Sequence, residues 1–94
     1  MIEHTILIIE DDEKMRRLLE LILGQEGYRV DSAPSGQQGI QKLSEQSASN
    51  GYDLVLTDLQ MPGLTGMDVL AQVKKTLPET PVLIVTGFGT VKTA

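Results

Sequence analysis

Acidic side chains follow two apolar runs of this 94-residue sequence. Glu10, Asp11 and Asp12 come directly after the first run, and Asp58 closes the second. If these carboxylates meet, each pair of like charges at 4 Å costs roughly 4 kcal/mol at an effective dielectric constant of 20. A protein removes that cost by protonating one carboxyl group or by binding a cation. Oxygen ligands without His or Cys favour a hard divalent ion such as Mg²⁺, which also takes phosphate oxygens. A carboxylate can itself act as a nucleophile and carry an acyl phosphate.

Three apolar runs predict the central strands of a sheet. They are Thr5 to Ile9, Leu54 to Leu56, and Val82 to Val85, which ends at Thr86. Continuous apolar runs of this length are typical of parallel strands that are buried on both faces. Residues 28–33 instead alternate between apolar and polar, which favours an edge strand.

Helical patterns separate the predicted strands. Six apolar positions of the first helix cover about 200° of its circumference, more than contact with a sheet alone needs. They are Met15, Leu18, Leu19, Leu21, Ile22 and Leu23. We therefore expect a sheet on one side of this helix and another helix beside it. Ser35 is the expected N-cap of the second helix, and we expect a last helix to begin at Thr90.

The alternating order of strands and helices indicates an α/β fold with a parallel sheet and right-handed crossovers. Ligands bind at the carboxyl ends of the strands in such sheets. Glu10, Asp11, Asp58 and Thr86 all follow central strands. We therefore expect these four residues to converge at one edge of the sheet, although they are far apart in sequence.

The composition excludes several other kinds of site. The sequence has no Cys and a single His, His4, which excludes thiolate sites and sites with two imidazoles. A net charge of −5 and 3% aromatic residues argue against a nucleic-acid surface in this domain. No apolar run approaches the ~18 residues of a membrane span, and the N-terminus lacks a signal-peptide pattern. We expect a cytoplasmic protein with no membrane partner.

Each candidate residue also has an ordinary structural explanation. Acids such as Glu10 and Asp11 suit the first turn of a helix because of the helix dipole. Asp58 suits a turn or an N-cap, and Thr86 suits the end of a strand. These explanations must each hold independently, whereas a shared site explains all the positions together.

Three segments resemble the receiver domain of two-component response regulators. They are residues 7–12 (LIIEDD), 54–63 (LVLTDLQMPG) with Gly66, and 83–87 (LIVTG). The resemblance covers essentially the whole chain, and the D-L-x-M-P-G pattern is its most specific part. Residues 85–91 more weakly resemble receivers that precede sigma-54 activator ATPase domains.

The resemblance implies a role for each acidic residue. It makes Asp58 the phosphoacceptor and makes Asp11 and Asp58 direct Mg²⁺ ligands, together with the backbone carbonyl of Gln60. It also implies that Glu10 acts on the ion through water.

The same resemblance implies further roles around the phosphate. Thr86 would be the switch hydroxyl that bonds the phosphate, and Gln60 and Phe88 stand where the family tunes the lifetime of the phosphate. Gly87 and Pro62 belong to the loops beyond the site.

The resemblance also implies a flavodoxin-like sheet with strand order 2-1-3-4. The family adds a fifth strand ending in a Lys, and a fifth helix, which this sequence stops before reaching. We expect Lys92 to lie at the start of the fourth helix, where it cannot replace that Lys. Residues 1–94 are therefore expected to be a C-terminally truncated receiver domain with the fifth strand position vacant.

The implied function is transfer of a phosphoryl group to Asp58 from a sensor histidine kinase or a small acyl-phosphate donor. The transfer depends on Mg²⁺ and signals to an output domain, DNA-binding or ATPase, outside this chain. Such a domain is not a turnover enzyme. One alternative is a receiver fragment that is never phosphorylated and acts by dimerising or binding a kinase. A phosphatase with an aspartate nucleophile would need a second Asp where Gln60 stands.

The expected vacancy also predicts self-association. The strand from Val82 to Val85 would present an unpaired edge. Beside it, apolar side chains of the first helix, among them Leu18 and Leu23, would lack a cover. We expect a homodimer that buries this edge or the first helix.

Overall fold

The computed structural model describes residues 4–46, 51–58, 63, 65–85 and 91–93. Five strands and three helices lie within these residues. In chain order they are β1 (Thr5–Ile9), α1 (Glu13–Gln25), β2 (Arg29–Ala33), α2 (Gly36–Gln46), β3 (Leu54–Asp58), α3 (Gly66–Thr76), β4 (Val82–Val85) and β5 (Val91–Thr93).

The strands form one sheet in the order β2-β1-β3-β4-β5, and the first four are parallel. This confirms the predicted α/β fold and the order 2-1-3-4, with the alternating segment β2 at an edge. Ile9 pairs with Thr57, and Asp58 pairs with Val85. This register brings the carboxyl ends of β1, β3 and β4 together at one end of the sheet.

The far edge of the sheet differs from our expectation. β5 pairs antiparallel with β4, with Val85 opposite Val91 and Leu83 opposite Thr93. The prediction of a helix containing Lys92 was therefore wrong, as was the prediction of an unpaired β4 edge. The N–H and C=O groups along the edge of β4 accept even a short partner strand, and this pairing sets the conformation of residues 91–93. Thr90 itself lies outside the described residues.

One face of the sheet is well covered. Helices α2 and α3 pack on it and enclose the larger core cluster, which includes Leu7, Ile9, Val55, Val69 and Val73, all without solvent exposure. The alternation of a strand sends Leu7 and Ile9 to this side and their neighbours to the other. This face therefore holds β1 and β3 in place below the residues at their carboxyl ends.

Gly39 brings α2 into direct contact with β1. A Cβ atom at this position would overlap the side chain of Ile9, which is fully buried. Ile9 immediately precedes Glu10, so the close approach of α2 fixes the end of the strand from which Glu10 projects.

The other face of the sheet is covered by α1, and more thinly. Leu19 and Leu23 are half-buried against Ile6, Ile8 and Leu56. No residue of α1 is buried, and no other described helix lies beside it. The second helix that the wide apolar stripe predicted beside α1 is therefore absent from the described residues. The outer face of α1 exposes four large apolar side chains, and Leu23, which we expected to lack a cover, packs against the sheet. The four are Met15, Leu18, Leu21 and Ile22, with 38%, 49%, 59% and 46% exposure.

Side chains from the loops cap the helices. The Asp12 carboxylate accepts from the backbone N–H of Lys14 at 2.9 Å and caps α1. The Ser35 hydroxyl oxygen accepts from the Gln38 N–H at 3.2 Å, which confirms its predicted place at the start of α2. Thr65 begins α3 in a capping box with Asp68. Within the described residues, no helix has the length and hydropathy needed to cross a bilayer.

Replacing Gly39 by Ala should destabilise the protein. Overpacking a filled core costs about 1–3 kcal/mol. The higher helix propensity of Ala relative to Gly offsets up to about 1 kcal/mol of that cost. Gly24 is the matched control, because it is also helical and a Cβ there meets nothing within 4 Å. Urea unfolding followed by circular dichroism should show Gly39→Ala below the wild type and Gly24→Ala at or above it. Equal stabilities for the two variants would contradict the close approach of α2 to β1.

Candidate functional site

Three of the predicted residues meet at the carboxyl ends of β1 and β3. Glu10 follows β1 and Asp58 is the last residue of β3, and both are buried, at 5% and 7% exposure. Asp11 is exposed at the rim. One carboxylate oxygen from each of the three lies within 4.8 Å of the other two. The convergence predicted from the fold is therefore present for Glu10, Asp11 and Asp58.

The loop between β1 and α1 is fastened on both sides of Asp11. The Glu10 N–H donates to the Ala33 carbonyl at 3.1 Å, which ties the loop to the end of β2. The Asp12 N–H donates to Glu10 Oε2 at 3.1 Å. The Arg16 Nη1 donates to the Glu10 carbonyl at 3.0 Å. These bonds hold the loop that carries two of the three carboxylates.

The acids after β1 do not all serve the same purpose. Asp12 caps α1, and Glu13 forms an exposed ion pair with Arg17 at 3.0 Å. For these two residues the ordinary helix-terminus explanation is correct. Glu10 and Asp11 instead belong to the carboxylate cluster.

Burial and neighbouring acids act together on Glu10. The pKa of Glu10 is raised from its ordinary 4.5 to about 7, mainly by loss of solvent and further by hydrogen bonds with Asp11 and Asp58 and by the Asp58 charge. The Asp12 N–H opposes it by donating to the Glu10 carboxylate. Without a cation, the cluster therefore lowers its repulsion by holding a proton on Glu10.

The donor set of the cluster fits Mg²⁺. Its three members are all carboxylates. They form the group of potential metal ligands that is found among the described residues. Hard divalent cations prefer oxygen ligands of this kind, whereas Zn²⁺ sites are typically built with His or Cys. Glu10, Asp11 and Asp58 therefore offer a suitable set of ligands for Mg²⁺.

The other predicted site residues lie outside the described residues. They are Gln60, Pro62, Thr86, Gly87 and Phe88. Their roles remain expectations from the sequence.

Arg16 was missed by the sequence analysis. It stands in the first turns of α1, where the helix dipole disfavours a cation. Lys14 and Arg17 are also basic in the first turns of α1, so the sequence held no signal that singled out Arg16. The structure shows its contact with the Glu10 carbonyl.

Known proteins share this fold and much of this sequence. The family model described as "Response regulator receiver domain" matches residues 6–94. The transcriptional regulatory protein YkoG of Bacillus subtilis is 44% identical over 82 residues, which cover 87% of this chain and 34% of YkoG. The chain thus spans about a third of that relative's length.

Solved structures extend the likeness. A response regulator receiver domain protein from Clostridium thermocellum superposes with a TM-score of 0.83 at 35% identity, covering 88% of this chain and 64% of that one. The response regulator TrrA of Thermotoga maritima, in complex with Mg(2+)-BeF, gives 0.81 at 31% identity, covering 88% and 69%. TrrA is also known in a complex with the histidine kinase ThkA.

The raised pKa of Glu10 makes stability depend on pH when no metal is present. The folded chain binds this proton more tightly than the unfolded chain does. The contribution of Glu10 to the free energy of unfolding is therefore fully present below about pH 4.5 and is lost as pH rises through about 7. The loss is on the order of 3 kcal/mol. Urea unfolding in EDTA should show this decline in the wild type and a much flatter profile in Glu10→Gln.

The exposed Glu79 provides the control for this experiment. Glu79→Gln should follow the wild-type profile across the same pH range. A decline in Glu10→Gln as steep as in the wild type would show that other groups cause it.

Proposed function

This chain belongs to the response regulator receiver domain family, and on that premise we propose that it accepts a phosphoryl group on Asp58. The donor is a sensor histidine kinase or a small acyl phosphate, and the signal passes to an output domain outside this chain. Receiver domains of this family are signalling modules, and we propose that this one performs no multiple-turnover catalysis. Its cytoplasmic location also stays a prediction.

The observation that carries the proposal is the position of Asp58. Its buried carboxylate closes β3 and lies beside Glu10 and Asp11, with one oxygen of each residue within 4.8 Å of the others. A carboxylate oxygen held in place by a strand end is positioned for in-line attack with little loss of freedom.

The proposed transfer of the phosphoryl group needs no reactant other than Asp58 and the donor. A carboxylate oxygen of Asp58 forms a bond to phosphorus while the bond from phosphorus to the donor breaks. The donor's imidazole nitrogen or acyl oxygen leaves with that electron pair, and Asp58 becomes an acyl phosphate.

We propose Asp11 and Asp58 as direct ligands of Mg²⁺, with Glu10 acting through water and the backbone carbonyl of Gln60 as a further ligand. When bound, Mg²⁺ supplies positive charge that offsets the charge of the phosphoryl group and the carboxylates. Asp11, at the exposed rim, can reach solvent ions, whereas the burial of Asp58 limits the access of water to the acyl phosphate.

The remaining assignments depend on the family pattern. We propose that Thr86 bonds the phosphate and that Gln60 and Phe88 set its lifetime, within loops that contain Gly87 and Pro62. The alternative of an unphosphorylated interaction module is less favoured, because the carboxylate cluster is intact.

Asp58 should be the residue that acetyl phosphate modifies in the presence of Mg²⁺. Intact-mass spectrometry should show one phosphoryl increment on the wild type and none on Asp58→Asn, because an amide is not a comparable nucleophile. The matched control is Asp53→Asn, which changes an exposed Asp that precedes β3 and should be modified like the wild type. An increment that persists on Asp58→Asn would assign the phosphate to another residue, and its absence from the wild type would favour the interaction module.

We also propose that two copies pair through the outer face of α1. The observation in favour is the exposed row of Met15, Leu18, Leu21 and Ile22. Because β5 covers the β4 edge, edge-to-edge pairing through β4 is no longer part of this proposal.

Leu18→Asp should weaken this self-association about tenfold or more, because each copy then leaves an apolar contact unmade and gains a charge in the interface. The control is Met67→Asp, which makes a similar change at a 54% exposed position on α3. Sedimentation velocity over a concentration series measures both variants. A wild type that stays monomeric at the highest concentrations would refute the dimer.

A further inference from the structure

Arg16 reaches from α1 back to the loop that carries the acidic residues. Its Nη1 donates to the backbone carbonyl of Glu10 at 3.0 Å, across six positions of sequence. The side chain is half-buried. Its own backbone N–H donates to the Asp12 carbonyl at 2.9 Å, within the first turn of α1. The bond therefore runs from a fixed helix to the peptide group between Glu10 and Asp11.

That peptide group controls where Asp11 points. The Glu10 carbonyl and the Asp11 N–H belong to one planar unit. A bond that fixes the direction of the carbonyl therefore restricts the backbone torsions on either side of it, ψ of Glu10 and φ of Asp11. These two torsions set the direction in which the Asp11 side chain leaves the backbone.

Neighbouring bonds hold the loop on either side of this peptide. The Glu10 N–H is held by the Ala33 carbonyl, and the Asp12 N–H is held by Glu10 Oε2. Asp12 is further fixed because it caps α1. Asp11 lies between these anchors and is exposed, so burial does not hold it in place.

We infer that Arg16 is a positioning residue of the metal site, which aims the Asp11 carboxylate at Glu10 and Asp58 by holding the peptide between Glu10 and Asp11. The inference rests on the proposed function only in naming Mg²⁺ as the ion. Groups that orient metal ligands in this way are typically worth 10- to 100-fold in metal affinity.

The charge of Arg16 and its hydrogen bond have opposite effects on metal binding. A cation close to the site repels Mg²⁺, so loss of the charge alone should tighten binding. Loss of the hydrogen bond from Arg16 should weaken metal binding, because the backbone then holds Asp11 less firmly in its direction towards Glu10 and Asp58. The sign of the change therefore separates a positioning role from a purely electrostatic one.

Arg17 offers a matched comparison on the next residue. It carries the same charge on the same helix, but its guanidinium lies 3.0 Å from the carboxylate of Glu13, and both side chains are mostly exposed. Arg16→Met and Arg17→Met each keep an unbranched stem and remove the charge and the donors.

The experiment combines two measurements on both Met variants, the wild type and Asp11→Asn. Calorimetric titration with Mg²⁺ gives the dissociation constant, and ¹⁵N–¹H spectra without metal give the position of the Asp11 amide resonance. We expect Arg16→Met to raise the dissociation constant about tenfold or more and to shift the Asp11 amide. We expect Arg17→Met to leave the amide in place and the affinity equal or slightly higher.

The positioning role of Arg16 and the proposed metal site are tested by different outcomes. Binding of Mg²⁺ by Arg16→Met as tight as that by Arg17→Met, with an unmoved Asp11 amide, would overturn the positioning role. Mg²⁺ binding that is equal in the wild type and Asp11→Asn would instead overturn the proposed metal site, while the amide measurement would still test Arg16.

Arg16→Lys provides a second test in case Arg16→Met does not fold. Its ammonium keeps the charge but has a shorter reach and no planar fork. A displaced Asp11 amide together with weaker Mg²⁺ binding in Arg16→Lys supports the inference, and a displaced Asp11 amide with Mg²⁺ binding as tight as in the wild type overturns it.

Discussion

Mutual repulsion of carboxylates at the end of an apolar sheet is the constraint on which this structure depends. Glu10 and Asp58 are buried there beside Asp11, and the fold itself places them together because it aligns the ends of β1 and β3. Such a cluster is tolerated only with a bound proton or a bound cation. The same arrangement that costs stability when no cation is bound is therefore the arrangement that suits a divalent ion.

The parts of the fold that sequence reasoning identified are those that apolar patterns determine. β1, β3 and β4 appear in the sequence as continuous apolar runs, whereas their order in the sheet was implied by the resemblance to receiver domains. The meeting of Glu10 with Asp58 was predictable from the apolar runs, because parallel strands end at a common edge. No pairwise signal between the two residues was needed.

The parts that were missed depend on single contacts instead of patterns. β5 consists of three residues whose pairing with β4 decides their conformation, and so short a segment has no periodicity to read. The role of Asp12 as the N-cap of α1, which the sequence analysis did not assign, depends on its carboxylate accepting from the first N–H groups of the helix. The bond from Arg16 joins a side chain to a backbone carbonyl, and any residue would provide that carbonyl.

The central position of β1 has a consequence for how the protein is made. β1 pairs with β2 on one side and with β3 on the other, yet Asp58 follows Glu10 by 48 positions in the chain. At 5–20 residues per second, a ribosome needs roughly 2 to 10 seconds to cover that distance. During this interval the first acids are hydrated side chains on a nascent chain, with neither the burial nor the neighbour that gives them their properties. A chain released before β3 emerges therefore lacks Asp58, and the carboxylate cluster forms only once β3 has been added.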